Sequence, residues 1–201
     1  MDEVDKIIVR AKQGEGEAEY DIGRMYAEGK VLNKDEHKAA KWFGKAAEQG
    51  YAEAQNNLGV MYRNGEAVEK DEQTAFMWYK KAAEQGYAPA QSNLAFMYDF
   101  GKGVEQDERE AAKWYRKAAK QGEAGTQYML GWMYDKGEGV EQNYKEAYIW
   151  FSLAMMFGYE NTRRDIIAKR LSKDEVEQAQ KEAERRVGEI NAERRRVEIE
   201  E

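Results

Sequence analysis

The chain of 201 residues contains no cysteine, a single histidine and a single proline. Without cysteine there is no disulfide, no thiolate metal ligand and no cysteine nucleophile. One histidine, His37, leaves too few ligands for a zinc or iron site and cannot complete a serine–histidine–aspartate triad without a serine and an aspartate in a matching arrangement. The sequence therefore predicts a protein that is not an enzyme, with no catalytic residue, no metal site and no cofactor.

Long apolar runs are also missing, so no membrane insertion is expected. The acidic N-terminal segment, residues 1–6, lacks the apolar stretch of a signal peptide. These features predict a cytoplasmic protein, or a periplasmic or secreted one if a signal peptide has been removed. The net charge of −7 argues against nucleic-acid binding, which requires lysine and arginine to replace counterions on phosphates. The scarcity of proline is typical of a helical chain.

A fixed period of 36 residues dominates the sequence. It predicts four tandem units over residues 15–50, 51–86, 87–122 and 123–158. The clearest repeated positions are Gly29, Gly65, Gly101 and Gly137; Trp42, Trp78, Trp114 and Trp150; and Met25, Met61, Met97 and Met133.

Each unit has the pattern of two amphipathic helices. In the second unit, apolar residues recur at helical spacing from Ala54 to Tyr62. Gly65 is positioned to end the first helix, and Asp71 to begin the second as its N-cap. A column of small residues predicts close approach of the paired helices. Its members are Gly23, Gly59, Ala95 and Gly131.

The repeated pattern A-x-x-x-L-G-x-M-Y-x-x-G-x-G-V…D-x-x-x-A-x-x-W-Y-x-K-A-A-x-Q-G resembles the Sel1-like repeat, a relative of the tetratricopeptide repeat. The match is clearest over Ala54–Tyr62 and Ala111–Gly122. The resemblance implies a bacterial, all-α protein: a right-handed superhelical solenoid of helix-turn-helix repeats with N- and C-terminal capping helices. Two units depart from the pattern at the loop position that is Gly103 in the third unit. Val31 occupies this position in the first unit, and Ala67 occupies it in the second.

Both ends of the array carry modified units. Residues 1–14 are expected to form an N-terminal half-repeat helix, residues 159–187 C-terminal capping helices, and residues 188–201 a charged tail that is either helical or disordered. Three polar columns become apolar in the last unit, at Leu153, Met156 and Phe157. This change predicts that another segment covers the last helix. Asn161–Leu171 is the expected cover, with Ile166 in register with the leucine column.

The resemblance to tetratricopeptide proteins implies that the first helix of each unit lines a concave, peptide-binding face. Columns of these helices that do not face the core drift from polar in the first two units to apolar in the last two. The candidate partner-binding residues are Phe96, Phe100, Tyr128, Met129, Trp132, Asn57, Asn93 and Arg24. The asparagines are expected to hydrogen-bond a ligand's backbone, and Arg24, Arg63, Asp99 and Asp135 to set its polarity and register. An alternative is that Phe100 and Met129 only pack between repeat units, and that the asparagines are caps or solvated.

The sequence thus predicts a scaffold or adaptor that binds another protein or peptide on its concave face. An alternative is an inhibitory, immunity-type protein that blocks a toxin or enzyme by binding it. Hydrolytic activity has been proposed for cysteine-rich relatives of the Sel1-like repeat, and this chain lacks their cysteines.

Overall fold

The computed structural model describes residues 3–200, and the side chains of residues 3–197. This range contains eleven helices and no strand. The helices are α1 (Glu3–Lys12), α2 (Gly16–Glu28), α3 (Glu36–Glu48), α4 (Ala52–Asn64), α5 (Glu72–Glu84), α6 (Ala88–Phe100), α7 (Glu108–Ala119), α8 (Ala124–Lys136), α9 (Tyr144–Met156), α10 (Arg163–Ala168) and α11 (Lys173–Glu200). The predicted all-α class and the two-helix unit are confirmed.

The helices pack in consecutive pairs within two compact units. Unit 1 is the described part of Met1–Leu94 together with Lys102–Glu105, and unit 2 is Ala95–Gly101 with the described part of Gln106–Glu201. In unit 1, α3 and α4 enclose a core that contains Phe43, Leu58 and Met61. In unit 2, α8, α9 and α11 enclose a core around Phe151 and Leu153.

Helix ends follow from side-chain and backbone capping. The second helix of each repeat begins after an acidic or amide side chain; Oδ1 of Asp71, for example, accepts hydrogen bonds from the backbone N–H groups of Gln73 and Thr74 at 3.0 Å. First helices end at a glycine in the left-handed conformation, as at Gly65 with φ 74°. Glycine adopts this conformation without a steric penalty, so the column is fixed by backbone geometry.

The small-residue column brings the paired helices together as predicted. A methyl group added at Gly59 would lie 2.7 Å from the ring of Tyr79, and one at Gly23 would lie 2.6 Å from the ring of Phe43. Both distances are too short for carbon atoms in contact. At Gly23, Gly59 and Gly131 the aromatic ring of the second helix therefore lies directly on the backbone of the first.

The loops between the paired helices differ as the sequence suggests. Ala67 is the one non-glycine residue with positive φ, 60°, in the part of the chain that the structure describes, so Val31 avoids this conformation and the first loop folds differently. In the third repeat a methyl group on Gly103 would overlap the carbonyl oxygen of Glu72. The exposed ring of His37 contacts the carbonyl oxygen of Ala67 at 3.1 Å, which agrees with its expected place on the surface.

Glutamine side chains link successive helices, and Gln55 and Gln127 among them are buried. Gln85 donates from Nε2 to Oε1 of Gln55 at 2.8 Å, and Gln55 in turn donates to the carbonyl oxygen of Ala47 at 3.0 Å. The equivalent Gln127 donates to the carbonyl oxygen of Ala119 at 3.0 Å, but its own Oε1 is buried without a partner. Sequence explains the difference, because Phe157 stands in the fourth repeat where Gln85 stands in the second.

A cation lies over the repeated tryptophan ring in each of the four repeats. Lysine Nζ atoms lie 4.2 Å from the Trp42 and Trp78 ring centroids and 3.8 Å from that of Trp114, each supplied from one turn later in the same helix. Leu153 replaces this lysine in the fourth repeat. Arg186 of α11 takes over, with its guanidinium carbon 5.3 Å from the Trp150 centroid.

The last repeat is covered by both α10 and α11, so the expected cover, Asn161–Leu171, is only part of the arrangement. Leu153 is fully buried and Phe157 half-buried, whereas Met156 stays 43% exposed. The predicted register of Ile166 is wrong: it is 44% exposed, and Ile167 enters the core instead. The short α10 starts out of phase with the repeat, which shifts its inward side by one residue.

Helix α11 continues through Gly188 to Glu200, and its packed side extends beyond residue 187. Ile190 is buried in the core of unit 2, and Nε of Arg194 donates to the carbonyl oxygen of Gln121 at 2.9 Å. Hydrogen bonds from Arg185 and Arg186 lower the pKa of Glu182 to about 2. Over the residues described, no helix combines the length and apolar character that crossing a membrane requires.

Candidate functional site

Phe96 and Phe100 form an exposed aromatic pair at the end of α6. Their rings are 4.6 Å apart, and the two residues are 38% and 53% exposed. The adjacent Ala95 and Met97 are fully buried, so one side of this segment anchors it in unit 2 while the other presents the rings outward. These two residues belong to the predicted set Phe96, Phe100, Tyr128, Met129 and Trp132, called the aromatic patch below.

The α8 members of the aromatic patch are half-buried. Met129 packs against the core cluster that contains Ala95 and Met133, which matches the alternative interpretation of this residue as packing. Tyr128 lies 5.3 Å from Phe151 and stacks on Tyr159, with the two tyrosine centroids 4.8 Å apart. Met129 of α8 and Ala95 of α6 thus belong to the same core cluster of unit 2.

Two cations approach Trp132. The guanidinium carbon of Arg163 lies 4.3 Å from the indole centroid, and Nζ of Lys136 lies 5.0 Å from it. Sequence analysis missed Arg163 and Tyr159, which come from the segment after the last repeat. For Tyr159 a signal was available, because it occupies the column of Tyr51 and Tyr87. Arg163 carries no such periodic signal.

A cluster of three cations, Lys136, Arg163 and Arg170, surrounds Trp132 and Asp135; we call it the cation cluster. Asp135 is only 3% exposed, and its carboxylate oxygens lie 3.5 Å from Arg170 and 3.8 Å from Lys136. These separations are longer than direct hydrogen bonds. The side chains of Lys136 and Arg170 remain 40% and 48% exposed. Asp135 therefore sits beneath its cations rather than on the surface.

Asp99, at the other end of the patch, is partly buried. The hydroxyl of Tyr115 points to Oδ2 of Asp99 as a long, weak hydrogen-bond donor at 3.5 Å. Burial raises the pKa of Asp99, and the nearby carboxylate of Glu138 raises it further. Burial likewise raises the pKa of Tyr115, so its hydroxyl stays a donor at neutral pH.

The remaining predicted residues lie in unit 1. Nδ2 of Asn93 donates to Asn56 at 3.0 Å, and Oδ1 of Asn93 accepts from Arg63 at 3.1 Å. A peptide backbone would have to compete with both bonds to engage Asn93.

Asn57 and Arg24 also have neighbours in unit 1. The side chain of Asn57 hydrogen-bonds the hydroxyl of Tyr20. Arg24 is exposed, and its nitrogens lie 3.7 Å from Asp21 and 3.8 Å from Glu28. These contacts give Asn57 and Arg24 local partners on their own helix or on the neighbouring first helix.

A concave surface of unit 2 lies between α7 and α11. Its α7 wall carries Arg109, Lys113 and Arg116, and its α11 wall carries Glu182 and Glu189. Several of these charged side chains already have hydrogen-bond partners within the protein. Arg116 donates to the hydroxyl of Tyr134 at 2.8 Å, and Glu182 accepts from Arg185 and Arg186. The aromatic patch is the stronger candidate because the rings of Phe96 and Phe100 are exposed.

No described group of three or more histidine, cysteine, aspartate or glutamate side chains is arranged to hold a metal ion. Paired helices, with aromatic rings packed on small residues at the repeat spacing, define a tandem helical repeat protein. The Sel1 repeat model matches residues 16–51, 52–87, 88–123 and 124–155. The chain belongs to the Sel1 repeat family.

Solved Sel1-type structures are similar to this chain. A protective antigen of uropathogenic Escherichia coli with an SLR fold is 41% identical and superimposes with a TM-score of 0.75; the match covers 79% of this chain and 34% of that protein. A Sel1 repeat protein from Oxalobacter formigenes is 30% identical, with a TM-score of 0.73, and is matched over 78% of this chain and 62% of its own. No curated protein sequence matches significantly.

A more distant likeness is to Helicobacter pylori cysteine rich protein B, at 27% identity and a TM-score of 0.51, over 69% of this chain and 98% of that one. The chain spans about a third (34%) of the Escherichia coli protein and 62% of the Oxalobacter protein. Sel1 repeats generally serve as protein-interaction modules, and the relatives named are bacterial, as the resemblance implied.

Proposed function

We propose that this chain is a scaffold or adaptor that holds a segment of another protein on the aromatic patch. The exposed pair Phe96 and Phe100 is the observation that carries the proposal. Two adjacent phenylalanine rings in water lose the free energy that burial would provide, about 1.5–3 kcal/mol for each fully buried ring. A partner that covers them recovers this free energy, and aromatic side chains commonly dominate such interfaces.

The patch also has a rigid support. Phe96 and Phe100 project from a helix whose inward residues Ala95 and Met97 are fully buried, and Trp132 projects from α8 in the same unit. Because the rings are held by a packed core, little conformational entropy is lost when a partner binds. Met129 contributes less, since half of its surface is already used in packing.

Site-specific crosslinking tests this proposal. A photoreactive phenylalanine analogue is placed at position 96, and, as a matched control, at the 55% exposed Met77 of α5. We expect a defined partner to crosslink from position 96 in cells that produce the protein, and not from position 77. The Phe96→Ser, Phe100→Ser double variant should lose the same partner while keeping its helical circular dichroism spectrum.

Equal crosslinking from both positions, or full retention of the partner by the double variant, would overturn the proposal. An inhibitory role, the alternative, predicts an additional effect on the captured partner. The partner's activity should fall when the wild-type chain is added and should recover when the double variant replaces it.

A further inference from the structure

The cation cluster beside Trp132 indicates what kind of segment the aromatic patch receives. We propose that the occupant is an acidic peptide segment: an apolar anchor that covers Phe96, Phe100 and Trp132, flanked by aspartate or glutamate side chains that bind Lys136, Arg163 and Arg170. This inference rests on the proposed function, and it adds the charge of the partner.

The charge balance of the cluster supports an anionic occupant. Lys136 and Arg170 share one carboxylate, that of Asp135, which is 3% exposed and lies 3.5 Å from Arg170 and 3.8 Å from Lys136. Arg163 lies over the Trp132 ring instead of against a carboxylate. Among the described residues, the three cations therefore have a single carboxylate within 4 Å of their nitrogens, in a chain whose net charge is −7. Guanidinium groups carry several N–H donors, so both arginines can bind a carboxylate without leaving their present neighbours.

The patch and the cation cluster share Trp132. Its indole belongs to the aromatic patch, and Arg163 and Lys136 both lie within 5.0 Å of its centroid. An apolar side chain seated on Trp132 therefore places its neighbours in the peptide within reach of both cations. Phe96 occupies the equivalent column one repeat earlier, next to Ala95 in the core cluster that Met129 contacts.

This combination is specific to the last repeats. Along the chain, the column of Lys136 reads Glu28, Asn64 and Phe100, and the column of Trp132 reads Arg24, Val60 and Phe96. In the first repeat, Arg24 lies 3.8 Å from Glu28 of the same helix, so its charge is balanced locally. A segment with an apolar anchor and acidic flanks thus has its complement in unit 2.

Selection from a phage-displayed library of short random peptides tests the inference directly. The baits are the full wild-type chain, the Phe96→Ser, Phe100→Ser variant, and the Arg163→Gln, Arg170→Gln variant. A matched control, Lys41→Gln, Lys80→Gln, removes the same charge from exposed positions on α3 and α5. Because Arg170 lies beside the buried Asp135, the single variant Arg163→Gln is included, and every bait is checked by circular dichroism.

We expect wild type and the control to enrich peptides with an aromatic or aliphatic residue next to aspartate or glutamate. The Arg163→Gln, Arg170→Gln variant should bind these peptides about tenfold more weakly, with a smaller loss for Arg163→Gln alone. Binding to wild type should weaken as NaCl is raised, since exposed charges are screened.

The outcomes separate the two levels of the proposal. Peptides that need Phe96 and Phe100 but show no acidic preference, or that bind the Arg163→Gln, Arg170→Gln variant fully, overturn the acidic-segment inference and leave the proposed function in place. Enriched peptides that survive the Phe96→Ser, Phe100→Ser change overturn both. Binding of anionic lipid vesicles or single-stranded DNA with the same loss on Arg163→Gln, Arg170→Gln, in the absence of peptide enrichment, also overturns the inference.

Discussion

Arg186 covers Trp150, with its guanidinium carbon 5.3 Å from the centroid of the indole ring. Two nitrogens of the same guanidinium bond the carboxylate of Glu146 at 3.0 and 2.9 Å, and a third bonds Glu182 at 2.8 Å. In the earlier repeats, a lysine on the same helix as the tryptophan makes the corresponding contact. The last repeat thus obtains from α11 what the other repeats contain within themselves.

Replacing Arg186 by alanine is expected to lower the free energy of unfolding by about 2–3 kcal/mol, because a charge-assisted pair and a ring contact are lost from a largely buried position. Chemical denaturation followed by circular dichroism measures the change. The control is Lys117→Ala, which removes the lysine over Trp114 and should cost less than about 1 kcal/mol. Equal losses for the two variants would contradict the role assigned to α11.

The unpartnered Oε1 of Gln127 predicts unequal effects of one substitution at two equivalent positions. Gln55→Leu removes a donor and an acceptor contact, whereas Gln127→Leu removes one contact and relieves a buried oxygen that has none. The Gln55 variant should therefore be less stable than the Gln127 variant by about 1–2 kcal/mol. Urea unfolding of both variants provides the comparison, and the reverse order would show that Oε1 of Gln127 is satisfied in solution.

The backbone of Ala67 is strained, because a φ of 60° is unfavourable for any residue with a Cβ atom. Ala67→Gly should raise the free energy of unfolding by about 1 kcal/mol. The reciprocal change, Gly103→Ala, places a methyl group against the carbonyl oxygen of Glu72 and should be strongly destabilising. Thermal unfolding monitored at a helical signal distinguishes the signs; a loss of stability in Ala67→Gly would mean that the contacts of the methyl group outweigh the strain.

The raised pKa of Asp99 leads to a pH-dependent prediction. Burial and the charge of Glu138 favour the protonated carboxyl group of Asp99 in the folded state. The stability that this protonated group contributes is present below the ordinary aspartate pKa and is lost as the pH rises through the raised pKa of Asp99. Asp99→Asn should be more stable than wild type at about pH 7 and equal to it at about pH 3. The amide oxygen that this substitution introduces would still accept the hydrogen bond from Tyr115.

Urea titrations at the two pH values test this expectation. Asp174→Asn serves as the opposite control, since Asp174 lies in the first turn of α11 and its negative charge favours the helix there. It should lose a little stability near neutral pH. An Asp99→Asn variant that is less stable than wild type at neutral pH would show that the charged carboxylate makes a net favourable interaction.

Much of the fold was predictable because equivalent residues make the same packing and capping contacts in successive repeats. The columns of Gly59 and Tyr79 meet in the structure because only a small residue lets the ring reach the helix backbone. Likewise, Asp71 begins a helix because its side chain supplies an acceptor for free backbone N–H groups. Such local rules depend on residues close in sequence or one period apart, and periodicity makes them visible.

The C-terminal part was less predictable because its contacts follow no period. The apolar change at Leu153 indicated a covering segment, and residues 159–187 were expected to cap the array, but the sequence did not indicate that the packed side of α11 continues past Gly188. The candidate site has the same limit. Periodicity identified Phe96 and Trp132 as outward-facing, while the stacking of Arg163 on Trp132 depends on how the chain turns after Gly158.

The cover that α11 places on α9 has a consequence for how such a protein can change its length. Lys81, Trp78 and Gln85 of the second repeat find their partners within unit 1, whereas Leu153, Trp150 and Phe157 depend on residues after position 158. Duplicating a 36-residue block upstream of α8 would leave every contact of the last repeat intact, whereas appending one after α9 would displace α11. We therefore expect repeats to be added inside the array, in evolution or by design, while α10 and α11 remain attached to the last repeat.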